Sequence, residues 1–375
     1  MSATGTTKRV TTVEIARQAK VSRAAVYAVL NADKATSIVI GQETRQRILD
    51  TAARLGYVRN EVARSLVTGK SYTIGMQLRS LANQFLATQF YTDFSRSCND
   101  SAYRQAYSVF LSSSEFDFAR EARNLQALLA KRVDAVIVER GEPGEHDVVL
   151  RQMQAQGIAV ILLGEVDVPG LPYPVVGFDE PLAGRLAAEH LWALGHRRIL
   201  YFNAGKVRDN SLRVHTIRRE LFQRAWQALG GGDVLPGFAT ADPLHGGMEL
   251  AEYLVQLPRA QWPTAVACSM DSLAVSLSVG LRAHRIKVPK EVAIIGCDDI
   301  PGAAEAAVPL TTVRLPTEKM AQGVWELLEP RLKDGGLPAD RLVLERRIIA
   351  PELMIRQSTR TATLKQEDPA LTLTA

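Results

Sequence analysis

Only three cysteines occur in the 375 residues, Cys98, Cys268 and Cys297, and they are scattered without metal or disulfide spacing. That scarcity excludes a disulfide-stapled secreted scaffold and suits a reducing compartment. No apolar run approaches the length that spans a bilayer. No apolar core follows the first basic residues, as a secretory signal requires. A cytoplasmic location with no membrane contact is therefore expected. The histidines at 146, 190, 196, 215, 245 and 284 form no HExxH and no triad context. Gly230-Gly231-Gly232 lacks the strand-to-helix GxGxxG setting of a nucleotide fingerprint. Internal repeats and leucine heptads are missing as well. These absences leave no expected catalytic residue, metal site or cofactor, and so no enzyme. What remains is an ordinary globular composition, 46% hydrophobic and 23% charged, in a chain long enough for two or three domains.

The charge is unevenly placed. Residues 1–70 carry twelve Lys and Arg against five Asp and Glu, a net of +7. The whole chain is +5, so the remainder sums to −2. Within the basic segment lies "VEIARQAKVSRAAVYAVLN". Val13, Ile15, Ala16 and Ala19 form one short apolar pattern, and Ala25, Val26, Val29 and Leu30 a second, both at helical spacing. Thr11 is placed to cap the first helix in a capping box with Glu14, and Ser22 to cap the second. Two short helices joined by a tight turn make a helix-turn-helix, whose second helix enters the major groove. Coincidence of that motif with the basic excess favours DNA over a merely solvated basic face. A third helix follows in "QETRQRILDTAARLGY", with Ile48, Leu49, Ala52 and Leu55 on one face and Gly56 to stop it. A short helix capped by Asn60 and holding Val62, Ala63 and Leu66 then leads into the linker Gly69-Lys70-Ser71.

From Tyr72 short apolar runs alternate with amphipathic helices: "YTIGMQL", "YSVFL", "DAVIV", "IAVILL", "RRILYF", "TAVACS" and "VAIIGCD". Such alternation signals βαβ units and a parallel sheet, here in two doubly wound subdomains. Ligands of open parallel sheets bind beyond the carboxyl ends of the strands. Residues just past these runs are thus pocket candidates: Asn83, Phe85, Ser112 to Glu115, Glu139, Arg140, Gly164, Glu165, Asp271 and Asp298. Asp298 and Asp299 are adjacent on an extended segment and point apart, so one faces a ligand and the other caps a turn. The tryptophans read as packing residues.

The order and spacing of several motifs resemble the LacI/GalR family of bacterial transcription regulators, over nearly the whole chain to about Thr359. They are "VTTVEIARQAKVSRAAVYAVLN", "TRQRILDTAARLGYVRNEVARSL", "LAGRLAAEHLWALGHRRI", "PTAVACSMDSLA", "VPKEVAIIGCDDIP" and "PLTTVRLP". The resemblance implies a headpiece, a hinge helix that enters the minor groove, and a periplasmic-binding-protein-like core. It also implies a homodimer on a pseudo-palindromic operator, acting as a repressor, with a small carbohydrate-like or polyol effector that changes DNA affinity. By that resemblance Ser22, Arg23 and Ala24 begin the recognition helix, Arg23 and Ala24 read base edges, and Ala25 and Tyr27 touch the backbone. Thr11 joins this DNA-facing set. Asn60, Ala63, Arg64 and Leu66 match the hinge helix, Leu66 as the wedge between base pairs. Arg218 in "RRELF" and Asp298 match recurrent effector contacts, and Asn83, Phe85, Glu139, Arg140 and Asp271 complete the expected effector set. There are departures. Lys20 stands at a turn position that is usually glycine, Ala28 replaces a common arginine, Met270 an asparagine, and Gly164 a frequent polar group.

The expected organisation is a headpiece over 1–58, hinge helix and linker over 59–71, an effector-binding and dimerisation core over 72–359, and a flexible tail over 360–375. A solute-binding protein for transport, or a sugar-acting enzyme on the same core fold, is the alternative reading. The first conflicts with the basic headpiece, and the second lacks a nucleophile, metal cluster or nucleotide fingerprint.

Overall fold

A computed structural model describes residues 10–30, 40–58, 65, 68–80, 88–139, 145–164, 173–204, 213–232, 234–240, 242, 245–333 and 345–359. The chain divides into two compact units, Met1–Ser71 and Tyr72–Ala375.

The first unit holds three described helices, α1 (Thr12–Ala19), α2 (Arg23–Leu30) and α3 (Gln42–Arg54). Thr11 Oγ1 accepts from the Glu14 amide at 3.4 Å, and Ser22 Oγ accepts from the Ala25 amide at 3.1 Å, which starts α1 and α2 as the sequence predicts. Each helix contributes a narrow apolar stripe to one small core. Ile15, Ala16 and Ala19 meet Val26 and Val29, and both sets close on Ile48 and Ala52. Val13 and Leu49, read as core from their spacing, are 50% and 40% exposed instead. Each lies at the rim of its stripe, and helices this thin cover only the middle of it.

Lys20 adopts φ 57°, and the Val21 amide reaches back to the Ala16 carbonyl at 3.0 Å. That left-handed cap is normally a glycine position, because a Cβ there meets the neighbouring carbonyl oxygen. Lys20 carries this strain where the two helices turn. Gly56 closes α3 in the same way at φ 65°, with the Tyr57 amide on the Ala52 carbonyl at 2.9 Å.

The second unit is built on two six-stranded sheets. The first contains β1 (Thr73–Leu78), β2 (Ser108–Ser113), β3 (Ala135–Glu139), β4 (Ala159–Leu163), β5 (Val175–Phe178) and β11 (Arg346–Ile349), ordered β2-β1-β3-β4-β5-β11 and parallel throughout. The second contains β6 (Ile199–Ala204), β7 (Leu235–Thr240), β8 (Ala265–Cys268), β9 (Ala293–Asp298), β10 (Thr311–Arg314) and β12 (Glu352–Met354). Its order is β7-β6-β8-β9-β10-β12, and only β12 runs antiparallel. Both sheets thus have the doubly wound 2-1-3-4-5 order plus one late strand.

The helices α4 (Thr88–Arg104), α5 (Phe118–Ala130) and α6 (Glu145–Ala155) cover the first sheet, joined by α12 (Thr317–Lys333) from late in the chain. Covering the second are α7 (Glu180–Ala193), α8 (Arg213–Ala228), α9 (Gly246–Gln256) and α10 (Asp271–Ala283), with the short α11 (Pro301–Glu305) beside them. Gly247 lets α9 lie directly on α10, since a Cβ there would sit 2.0 Å from the Leu277 amide nitrogen. The chain passes between subdomains three times, after β5, after β10 and after β11. Phe90 and Phe178 each pack against the cores on both sides of that junction.

Candidate functional site

In the headpiece, the start of α2 stands out from the surface. Ser22, Arg23 and Ala24 are exposed, Tyr27 is 38% exposed, and Ala25 is half-buried. The first turn of α2 carries no acidic residue, and Arg23 is the one charged side chain of that helix. Thr11 is exposed at the cap of α1. Ala28 is buried, so that position packs rather than faces outward. Asn60, Ala63, Arg64 and Leu66 lie outside the described residues, as do Asn83, Phe85 and Arg140.

In the second unit, the carboxyl ends of both sheets carry polar clusters. Arg218, on α8, is the centre of one. Its Nη1 donates to the Ser269 carbonyl at 2.9 Å and to Asp298 Oδ1 at 3.3 Å, and its Nε donates to Glu180 Oε2 at 3.3 Å. The guanidinium also lies 6.0 Å from the centroid of the Phe178 ring. The sequence expectation that Arg218 and Asp298 converge, 80 residues apart, is what the geometry gives. Burial pushes the Asp298 carboxyl up and Arg218 opposes it, while Glu180 and Asp298 raise the Arg218 guanidinium well above its ordinary value against the burial that lowers it. The pair therefore reads as ionised and mutually dependent, because removing one partner leaves the other as an uncompensated buried charge.

Two groups the sequence reading passed over sit beside this pair. Asn203, at the end of β6, has a buried Oδ1 with no hydrogen-bond partner. His215, one turn before Arg218 on α8, is buried and its Nδ1 is likewise without a partner. Burial, with Arg218 adding to it, lowers the imidazole to about 3, so it is neutral at physiological pH. Orphaned buried polar atoms are costly, and they are rational where a ligand supplies the missing bond.

Asp271, expected among the effector contacts, is completely buried. Oδ1 accepts from the Thr312 hydroxyl at 2.6 Å and Oδ2 from the Ile300 amide at 3.0 Å. A Cβ on Gly296 would come within 2.0 Å of Oδ1, so glycine is needed there to admit the carboxylate. Asp271 is a brace that ties α10 to β10 and to the loop after β9. Burial and the neighbouring Asp298 raise its carboxyl. Asp299 likewise caps no turn. It lies between Arg314 Nε at 2.6 Å and Arg356 Nη2 at 2.7 Å.

Glu139 anchors the cluster on the first subdomain. Its Oε2 accepts from the Arg79 amide at 3.0 Å and its Oε1 from the Tyr91 hydroxyl at 2.9 Å, while burial raises the carboxyl. Nearby, Glu115 accepts from Ser80 Oγ at 2.9 Å and from Ser113 Oγ, and Arg79 lies over the Phe116 ring at 5.0 Å. Strain collects at the same ends. Glu115 and Phe116 follow β2 at φ 50° and 62°, and Asp298 and Asp299 end β9 at φ 125° and 59°. Consecutive left-handed residues other than glycine cost roughly 1–3 kcal/mol each and gather at ligand-binding sites. Gly164 follows β4 at φ 107°, which accounts for glycine where a polar side chain is frequent. No group of three or more metal-ligating side chains occurs among the described residues. No described helix is long and apolar enough to cross a membrane.

A helix-turn-helix unit on the same chain as a two-subdomain core with polar groups at its strand ends defines an effector-responsive transcription regulator. Comparison with known proteins agrees. Residues 188–359 match the periplasmic binding protein-like domain family. The ribose operon repressor of Escherichia coli (strain K12) is 28% identical over 92% of this chain and 98% of its own length. The lac repressor dimer bound to operator and the anti-inducer ONPF has a similar fold, with a TM-score of 0.79 at 20% identity, covering 94% of this chain and all of that one. The transcriptional regulator CelR in complex with cellobiose gives a TM-score of 0.64 at 23% identity over 93% of this chain and all of that one. Over nearly its whole length the chain is similar to repressors and regulators of the LacI/GalR family.

Proposed function

We propose that the chain is a homodimeric repressor whose α2 helices read an operator, and that a small polyhydroxylated effector at the Arg218–Asp298 cluster changes its operator affinity. One observation carries the effector half. A fixed guanidinium and carboxylate lie beside two buried polar atoms, Asn203 Oδ1 and His215 Nδ1, that no protein group satisfies. Donor and acceptor in one place suit the paired hydroxyls of a sugar or polyol, and the similar proteins include a ribose operon repressor and a regulator bound to cellobiose. Arg23 and Ala24 are the proposed base-reading residues, and Ala25 and Tyr27 lie where backbone contact is made.

The test begins with selection of a binding duplex from a randomised pool. The complex is then titrated with sugars, polyols and sugar acids. A charged, desolvated hydrogen bond contributes about 1.5–3 kcal/mol, so Asp298→Ala should weaken the active compound's effect tenfold or more while leaving duplex binding in its absence intact. A variant that responds at the parent's concentration removes Asp298 from the site. Failure to enrich any duplex refutes the regulator reading itself.

A further inference from the structure

In the second sheet β6, β8 and β9 are parallel neighbours, so their amino ends share one edge, opposite the carboxyl ends that carry the Arg218 cluster. The residues entering those strands are strongly cationic. Arg197 and Arg198 precede β6. Arg285, Lys287 and Lys290 precede β9, and Arg282 lies in the last turn of α10. All six are exposed, and none forms an ion pair among the described residues. The carboxylate beside them, Glu291, is already occupied by Arg259 Nη1 at 2.6 Å and by the Lys287 amide at 2.8 Å.

The loops carrying these charges are pinned together. Arg198 donates to the Ala260 carbonyl, the Thr264 amide to the Arg198 carbonyl at 2.9 Å, and the Ala293 amide to the Thr264 carbonyl at 3.0 Å. The rest of the chain beyond residue 70 is net acidic, at −2, so this edge is a segregated positive field rather than a sample of the average surface. The loops themselves carry no apolar anchor, and the exposed Val279 lies a turn back from Arg282 on α10. None of the large exposed hydrophobic side chains falls in 194–198, 258–264 or 284–292, and Trp192 and Trp262 are covered by Arg197 and Arg259 at 3.5 and 3.9 Å. Protein interfaces are centred on buried aromatic or aliphatic anchors, whereas binding to a phosphate backbone needs only cations.

We propose that this edge is a second, sequence-independent contact for double-stranded DNA, holding the phosphates of another duplex segment while the headpiece holds its own site. The inference rests on the DNA-binding reading above. With one segment already captured, a second on the same DNA is at high effective concentration, so a weak patch suffices.

The test uses the full-length protein on an immobilised duplex selected as above, saturated and washed, then offered a fluorescent 40-base-pair duplex that the selection did not enrich. The parent should retain the second duplex. Its retention should fall about 150-fold between 50 and 200 mM salt if four cations meet phosphates, from a slope near 0.9 per contact. Arg282→Gln/Arg285→Gln/Lys287→Gln/Lys290→Gln should lose that retention while still holding the first duplex and keeping the parent's melting curve. Equal retention by parent and variant, or none by the parent, overturns the proposal. So does retention of fluorescent polyglutamate in place of duplex, which would make the partner an acidic protein. If the first duplex is not held, the regulator reading falls with it; if it is held and the second is not, only the distal contact falls.

Discussion

Lowering the pH should destabilise the second subdomain through one residue, His215. Its imidazole is buried, with Nδ1 unpartnered, and is depressed from 6.5 to about 3. The folded state therefore refuses a proton that the unfolded chain accepts. Stability from the neutral ring is fully present above about pH 6.5 and is lost as the pH falls below that, until the folded ring itself titrates near 3. Each unit in that window is about 1.4 kcal/mol, so the step from pH 7 to pH 5 should remove about 2 kcal/mol. Asp271 and Asp298 act in the opposite direction: burial raises both, so their contribution grows as the pH falls. The parent's own pH curve mixes these signs. The difference between parent and His215→Asn isolates the histidine. Urea unfolding followed by tryptophan fluorescence suits the measurement, because Trp192, Trp226 and Trp262 all belong to this subdomain and Trp226 shares α8 with His215. The variant should lose about 2 kcal/mol less than the parent between pH 7 and pH 5. Equal losses would mean that the ring is solvated or already paired, and the argument for an unsatisfied atom beside Arg218 would go with it.

Three further outcomes follow from single residues. Lys20→Gly should stabilise the headpiece by about 1 kcal/mol, because φ 57° is free for glycine and strained for lysine, and thermal unfolding of the headpiece signal would report it. Arg23→Ala should change which bases are enriched in duplex selection; a uniform loss across all sequences would make Arg23 a phosphate contact. Asp271→Asn should cost roughly 1–3 kcal/mol of stability, since one amide nitrogen would face the Thr312 or Ile300 donor, while effector sensitivity stays near the parent's. A large loss of effector response in a variant of parental stability would return Asp271 to the binding site.

Of the seven runs that sequence inspection found, β1, β3, β4, β6, β8 and β9 are buried along most of their length, while β2, from "YSVFL", is an edge strand with Phe110 and Leu111 exposed. The strands it missed hide for different reasons. β7 begins Leu-Pro-Gly and β5 is four residues long with a glycine inside. β11 and β12 are short, half-exposed edge strands. β10 is interior but polar: Thr311 and Thr312 are fully buried because their hydroxyls bond Thr359 and Asp271, a compensation that composition does not show. The strand-end rule pointed to Asp298, Glu139 and Asp271, which all lie in polar clusters at the sheet ends, but it says where a residue sits and not which way the side chain turns at the start of a helix. Asn203 was within its reach, being the residue after the apolar run "RRILYF". His215 had a fainter signal, a spacing of three from Arg218 that puts both on one face of α8.

The two polar clusters suggest how occupancy becomes a switch on the proposed reading. The hydrogen bonds of Arg218 go to Glu180, Ser269 and Asp298, all in the second subdomain. Those of Glu139 go to Arg79 and Tyr91, both in the first. The charged groups of each cluster thus bond on their own side, and neither set of bonds holds the subdomains in one mutual geometry. A ligand changes DNA affinity only by binding one geometry better than another. An effector that bonds both clusters would do that, because the second set of contacts is available only when the clusters approach. Two such charged bonds contribute roughly 3–6 kcal/mol, and inverting a 1:99 population needs about 5.5. The three crossings after β5, β10 and β11 are the only short segments that must flex among the described residues, and the middle one leads directly into α12 of the first subdomain. A compound held by the Arg218 cluster alone would bind without switching, so binding and response should separate when Glu139 is replaced.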